Sequence, residues 1–252
     1  MANQSLTALS TANNAPRVSA NRAVKAYPPG SVFRLLVAAA AFEEGAVRNE
    51  SLFMDAEGFN FAGEEVYCPH CREGGDKALS FAQAMAYPCR SVLVGVGLQT
   101  GVDKILALAE RFGWKEGGLG LVEEDTGVLP AAGDLDLKAR IDLILGERGV
   151  VMVSPLQMAG VLQAVAADGI YHPPFVVEGL KSQDGRWRQK PSSPPARRVF
   201  SSDTAASLRQ LLLASPLKGD GEQKVLQEAV VITGVAEAGD KGSHGESHSD
   251  GW

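Results

Sequence analysis

Apolar residues recur at three- and four-residue spacing over much of this chain, with polar residues in the gaps. Val102 to Phe112 shows it most clearly. Ile105, Leu106, Leu108 and Ala109 share one face, and Asp103, Lys104, Glu110 and Arg111 share the other. That period predicts an amphipathic helix, and Gly113 ends it. Leu35 to Phe42 is apolar throughout and follows a Pro-Pro-Gly turn, so a helix is expected over 32–44, closed by Gly45. Ala78 to Thr100 reads as a helix with a break near Pro88. Ser154-Pro-Leu-Gln sets a cap serine and a first-turn proline before Leu156 to Ala167. A weaker helix is expected around Asp134 to Ile144, and another from Ser202 to about Ala214.

Strand signals are fewer. Residues 46–78 are loop-like with short strand candidates. "GIYHPPFVVEGL" and "GRWRQKP" suggest two short strands joined by a turn, residues 191–200 a linker, and Glu228 to Thr233 a strand by composition. Helices dominate, so the fold class expected is α+β, with helices packed on one antiparallel sheet. One domain is expected over 1–240. The polar, glycine-rich stretch 241–252 is expected to be a disordered tail.

Composition adds limits. The 252 residues are 45% hydrophobic and 21% charged, enough to bury a core. A net charge of −6 argues against nucleic acid or an anionic membrane as partner. The basic stretch Arg186 to Arg198 is short and rich in Pro and Ser, which reads as a solvated linker. No segment reaches the ~18–20 continuous apolar residues of a membrane span. The N-terminus lacks the charged-then-apolar order of a signal peptide. The chain as given is therefore expected to be soluble. Three cysteines, an odd number, describe no disulfide framework. "GLGL" at 117–120 has no phosphate-loop context, and no cofactor is expected.

Two short stretches carry candidate chemistry. In "YPPGSVFR", Ser31 follows the turn and precedes the helix. A capping serine is one reading and a nucleophile the other. Arg34 stands one helical turn on, where a serine nucleophile wants a lysine base. A guanidinium stays charged and cannot take the proton, though it can hold an anion or orient a hydroxyl. Cys68-Pro-His-Cys71 has the spacing of a redox pair or half a zinc site. The following "REGGDK" is a poor start for the helix a redox pair wants. A second Cys/His pair at finger spacing is absent from the sequence, although Cys89, His70 and His172 could contribute. Loop cysteines with no metal are the expectation. Glu123-Glu-Asp125 reads as a charged surface loop, and His244 and His248 as solvated tail residues.

Several stretches together resemble the penicillin-binding protein transpeptidase domain of the class B type. "NRAVKAYPPGSVFRLLVAAAAFEEG" resembles its first motif region, where Tyr-Pro-Pro-Gly-Ser-Thr-Phe-Lys is usual. "ALSFAQAMAYPCRSVLVGVGLQTGVDKILALAERFGW" looks like the helix pair with the Ser-x-Asn motif. "GERGVVMVSPLQMAGVLQAVAADGIYHPP" resembles the Gly-Gln-Gly…Thr-Pro-Leu-Gln-Met-Ala region, and "VVITGVAEA" the Lys-Thr-Gly-Thr-Ala-Glu strand. The match runs over roughly residues 5–240. It implies the β-lactamase/transpeptidase-like fold.

The resemblance also implies serine acyl transfer, with a D-Ala-D-Ala stem peptide of peptidoglycan or a β-lactam as substrate. Proteins of cell-wall synthesis would be its partners, at the extracytoplasmic face of the cell membrane. Ser31 matches the nucleophile, and Arg34 replaces its lysine. Pro88-Cys89-Arg90 replaces Ser-x-Asn, so the proton-shuttling hydroxyl and the substrate-holding amide are lost. Ile232-Thr233-Gly234 replaces Lys-Thr-Gly. Thr233 and Gly234 can still form the substrate-binding strand edge, but the carboxylate-recognising charge is gone. The sequence also ends where the family continues into further sheet strands, so an incomplete sheet is expected. The implied enzyme is a D,D-transpeptidase with little or no turnover. A non-catalytic protein-interaction module on the same scaffold is the alternative, and a metal or redox protein built on Cys68 and Cys71 is a third.

Overall fold

The structure is a computed structural model and describes residues 21–54, 58–61, 63–68, 71, 78–86, 89–116, 119, 124–176, 180–189 and 193–213. Its centre is helix α1 (Arg34–Glu43), buried continuously from Arg34 to Ala41. A helix apolar on every side belongs inside a protein. The four alanines 38–41 keep α1 slim, and three other helices close on it. These are α3 (Arg90–Thr100), α4 (Val102–Arg111) and α7 (Ser202–Leu213). Helix α2 (Phe81–Ala86) precedes α3. Helices α5 (Leu137–Leu145) and α6 (Pro155–Ala166) complete the set described.

Local signals decide where these helices start and stop. Ser154 and Gln157 form a reciprocal capping box at α6, with Pro155 in the first turn. Asp136 accepts the Ala139 N–H at 2.8 Å to open α5. Gly45 and Gly113 take left-handed backbone just past α1 and α4. The inward face expected for α4 is the buried one: Ile105, Leu106, Leu108 and Ala109. An aromatic layer joins the parts. Phe112 lies against Trp114, Tyr171 and Phe200. Phe81 meets Phe42 and Phe53.

The α+β class holds, but the strands differ from the single sheet expected. Among the described residues they form four separate two-stranded antiparallel ladders. Strand β1 (Leu52–Met54) pairs with β4 (Ala78–Ser80), and β2 (Gly58–Phe61) with β3 (Glu64–Tyr67). Strand β5 (Ile170–Tyr171) pairs with β8 (Arg197–Arg198), and β6 (Leu180–Lys181) with β7 (Trp187–Gln189). These strands are two to four residues long. The expected strand Glu228 to Thr233 and the tail 241–252 lie outside the described residues.

Two local readings are corrected. Ala78 to Ser80 is strand β4, and the helix starts only at Phe81. Ser80 and Gln83 cap that start reciprocally. In addition, residues 191–200 are not simply a linker. Residues 197–198 are β8, and Val199 and Phe200 are buried. Val199 N–H bonds Gly169 carbonyl at 2.9 Å. A Cβ on Gly169 would lie 2.1 Å from the Phe200 carbonyl oxygen, so only glycine admits this approach. The Pro, Ser and Arg content of the stretch hid two core residues. The expected pairing of 169–180 with 185–191 holds at its end, where Leu180 of β6 pairs with β7, while the strand beginning at Ile170 pairs with β8. Among the described residues no single helix is long and apolar enough to cross a membrane.

Candidate active site

The chain reaches Ser31 along an anchored path. Asp125 accepts from Lys25 Nζ at 3.2 Å and from the Ala26 N–H at 3.1 Å. The Ala26 N–H, then Lys25, holds the Asp125 carboxyl below its ordinary pKa. Asp125 is thus a structural anchor rather than only a surface charge. Tyr27 and Val153 then exchange two backbone hydrogen bonds, at 3.0 and 2.9 Å. After Pro29 comes a 3-10 turn, Gly30–Phe33, leading directly into α1. Gly30 N–H bonds the Gly146 carbonyl at 2.9 Å. Gly146 is the left-handed C-cap of α5, with φ 71. A Cβ there would sit 2.4 Å from the Gly30 carbonyl oxygen and 2.8 Å from Phe33 Cβ. The turn therefore docks backbone to backbone on the end of α5, and Phe33, fully buried, pins it from below.

Ser31 is half-buried within this turn. It is not at the N-cap position of either segment: Pro29 holds that position for the 3-10 turn and Phe33 for α1. A cap residue needs extended backbone, and Ser31 lies inside a wound segment. In a 3-10 turn residues i and i+3 eclipse, which places Ser31 and Arg34 on the same side. Arg34 N–H bonds the Ser31 carbonyl. The Arg34 side chain is 9% exposed. Burial lowers its pKa from the ordinary arginine value.

The second corner is the N-terminus of α3. Cys89 is its N-cap, with extended backbone and 1% exposure. Arg90 follows and turns to Glu147, with both guanidinium Nη atoms on the two carboxylate oxygens, one contact at 2.8 Å. Glu147 comes directly after Gly146, and its N–H bonds the Asp142 carbonyl at 2.8 Å. Arg90 and Glu147 thus tie the start of α3 to the corner that carries Gly30. Sequence reasoning missed Glu147 and Gly146. The available signal was the pair of opposite charges set into two of the stretches that carry the resemblance.

The cysteines are not ordinary loop residues. Cys68, Cys71 and Cys89 are all buried, and their sulfurs lie within 4.8 Å of one another. His172 is exposed and outside this group. Pro88, His70, Ile232, Thr233 and Gly234 lie outside the described residues. The first-motif pair and the second-motif residues Cys89 and Arg90 are therefore the predicted site residues whose places are described.

Comparison with known proteins gives the family and the fold. A family model described as the penicillin binding protein transpeptidase domain matches residues 2–252. The peptidoglycan D,D-transpeptidase PbpA of Mycolicibacterium smegmatis is 32% identical over 237 residues, covering 88% of this chain and 44% of that protein. PbpA of Mycobacterium tuberculosis is 28% identical over 232 residues, with the same coverage of 88% and 44%. This chain therefore spans under half the length of these curated relatives. The D,D-transpeptidase domain of a peptidoglycan glycosyltransferase from Eggerthella lenta superposes with a TM-score of 0.73 at 24% identity, covering 96% of this chain and 61% of that one. The imipenem acyl-enzyme complex of penicillin-binding protein A from M. tuberculosis gives 0.72 at 24% identity, covering 87% and 51%. At that identity the structural likeness shows the fold.

Proposed function

Because this chain belongs to the penicillin-binding protein transpeptidase domain family of peptidoglycan synthesis, we propose that Ser31 stands in the nucleophile position of an acyl-transfer scaffold that has lost most of its turnover. The single observation behind this is Arg34. It is buried, one 3-10 turn from Ser31 and on the same side, where a proton acceptor is needed. Burial moves the guanidinium pKa down, yet arginine keeps its proton in proteins. Its charge favours an alkoxide on Ser31, but Arg34 cannot itself accept the hydroxyl proton.

The reaction this arrangement supports is slow acylation. Ser31 Oγ attacks a strained β-lactam carbonyl, the C–N bond of the ring breaks, and the proton passes through water to the ring nitrogen. Backbone N–H groups, which substitution does not remove, supply the oxyanion stabilisation. Arg90 occupies the place of a substrate-holding amide and is committed to Glu147. Stem-peptide transfer, which needs both proton shuttling and carboxylate recognition, falls furthest. By this reading the chain works beside other cell-wall synthesis proteins at the outer face of the cytoplasmic membrane.

Intact-mass spectrometry after incubation with excess benzylpenicillin tests the proposal. A slow, stoichiometric adduct is expected, absent in Ser31→Ala. Arg34→Lys, which restores a group able to lose a proton, is expected to speed acylation by up to ~10²-fold. An adduct that persists in Ser31→Ala removes the assignment. No adduct in either the parent or Arg34→Lys, with the helical circular dichroism intact, turns the reading toward a non-catalytic interaction module.

A further inference from the structure

The three buried cysteines come from two separate segments, the end of β3 and the start of α3, and the acyl-transfer reading uses none of their sulfurs. We propose that Cys68, Cys71 and Cys89 bind one zinc ion through three thiolates.

Distance is the first argument. Tetrahedral zinc with Zn–S bonds of ~2.3 Å sets its sulfurs ~3.8 Å apart. Cys71 Sγ and Cys89 Sγ are 3.9 Å apart, and all three sulfurs fall within 4.8 Å of each other. A disulfide would need ~2.05 Å and would leave one thiol over. Cys68 and Cys71 have the two-residue separation with which one turn presents two sulfurs to one metal.

The surroundings are the second argument. Cys71 N–H points at Cys68 Sγ at 3.4 Å. The hydroxyl of buried Ser91 lies 3.2 Å from Cys89 Sγ. Cys89 also stands at the N-cap position of an 11-residue helix, whose N-terminal dipole favours negative charge. Donors gathered around sulfur are what a thiolate needs and a neutral thiol uses poorly.

The binding step balances as three thiols plus Zn²⁺ giving a zinc tris-thiolate of charge −1 and three protons released to solvent. Affinity must therefore fall as pH falls. One tetrahedral position remains for a water or a further ligand. The ion would clamp the end of β3 to the residue just before Arg90, and so fix the wall of the second-motif corner. This does not depend on whether Ser31 reacts.

The full chain, purified under reductant and dialysed, is expected to retain one zinc per chain by elemental mass spectrometry. Cys71→Ser and Cys89→Ser should each lose it. Cobalt(II) in place of zinc should give thiolate-to-cobalt charge transfer and the visible bands of a tetrahedral site. The wild-type cobalt spectrum decides the matter even where a variant fails to fold. Three free thiols in a folded chain that takes up neither zinc nor cobalt would overturn the site. So would a mass lower by two hydrogens from a disulfide, or full zinc retention in Cys89→Ser.

Discussion

The starts of α1 and α3 make an instructive pair. Both lie against the end of α5, and both carry motif positions of the same family. At the start of α1 the contacts are backbone and apolar: Gly30 docks on Gly146 and Phe33 is buried, with Arg34 one 3-10 turn from Ser31. At the start of α3 side chains dominate. Cys68 and Cys71 gather around Cys89, and Arg90 reaches Glu147. Backbone geometry at the start of α1 rests on glycines and buried apolar contacts, whereas the corner at α3 rests on a few side-chain atoms.

The largest test of this contrast is metal removal. Saturation at a thousandfold excess over Kd stabilises a protein by about 4 kcal/mol. Urea unfolding under reductant should show a difference of that size between zinc-loaded and chelator-treated chain. No difference would mean that the thiol corner is ordinary core and the contrast fails there.

Gly146→Ala comes next. It forces a side chain into left-handed backbone and against the Gly30 carbonyl, at about 3 kcal/mol. The same variant should abolish β-lactam acylation by displacing the turn. Equilibrium unfolding with a penicillin adduct assay reads both, and a loss below about 0.5 kcal/mol would show that the corner is not held by this contact.

The Arg90–Glu147 pair is a smaller effect. The Arg90 side chain is 45% exposed and that of Glu147 15%, so solvent screens much of the attraction. A double-mutant cycle with Arg90→Ala and Glu147→Ala should give a coupling of about 1 kcal/mol or less. A value well above that would make the ion pair, not Gly146, the main tie between the corners.

The smallest effect supplies a control at a third helix start. At α7, Glu43 accepts from the Ser201 N–H at 2.9 Å and the Thr204 hydroxyl at 2.6 Å. Burial alone would raise the Glu43 pKa. The Thr204 and Ser201 hydrogen bonds and the charge of Arg111 outweigh it, and the pKa is lowered. A lowered folded-state pKa contributes stability above the ordinary glutamate value near ~4.3 and loses it as pH falls through the folded value. Glu43→Gln should therefore flatten the acid limb of stability below about pH 4. An unchanged acid limb would show that the cap carries no net charge effect.

Much of this protein was legible in the residues because the signals were local. The Ser154–Gln157 cap, the apolar face of α4 and the glycine stops act within one or two turns of backbone, so the sequence itself specifies them. The relation of Ser31 to Arg34 was readable too, since the two are three residues apart and joined by one 3-10 turn. Other features lie between distant segments. Val199 and Phe200 enter the core only because Gly169 lets that backbone approach. Arg90 finds Glu147 only because α3 and α5 pack together. Cys68 and Cys71 join Cys89 only when the end of β3 reaches the start of α3. Spacing along a chain fixes what a helix or turn brings together, whereas these contacts depend on which buried faces pack. Tertiary structure alone decides that.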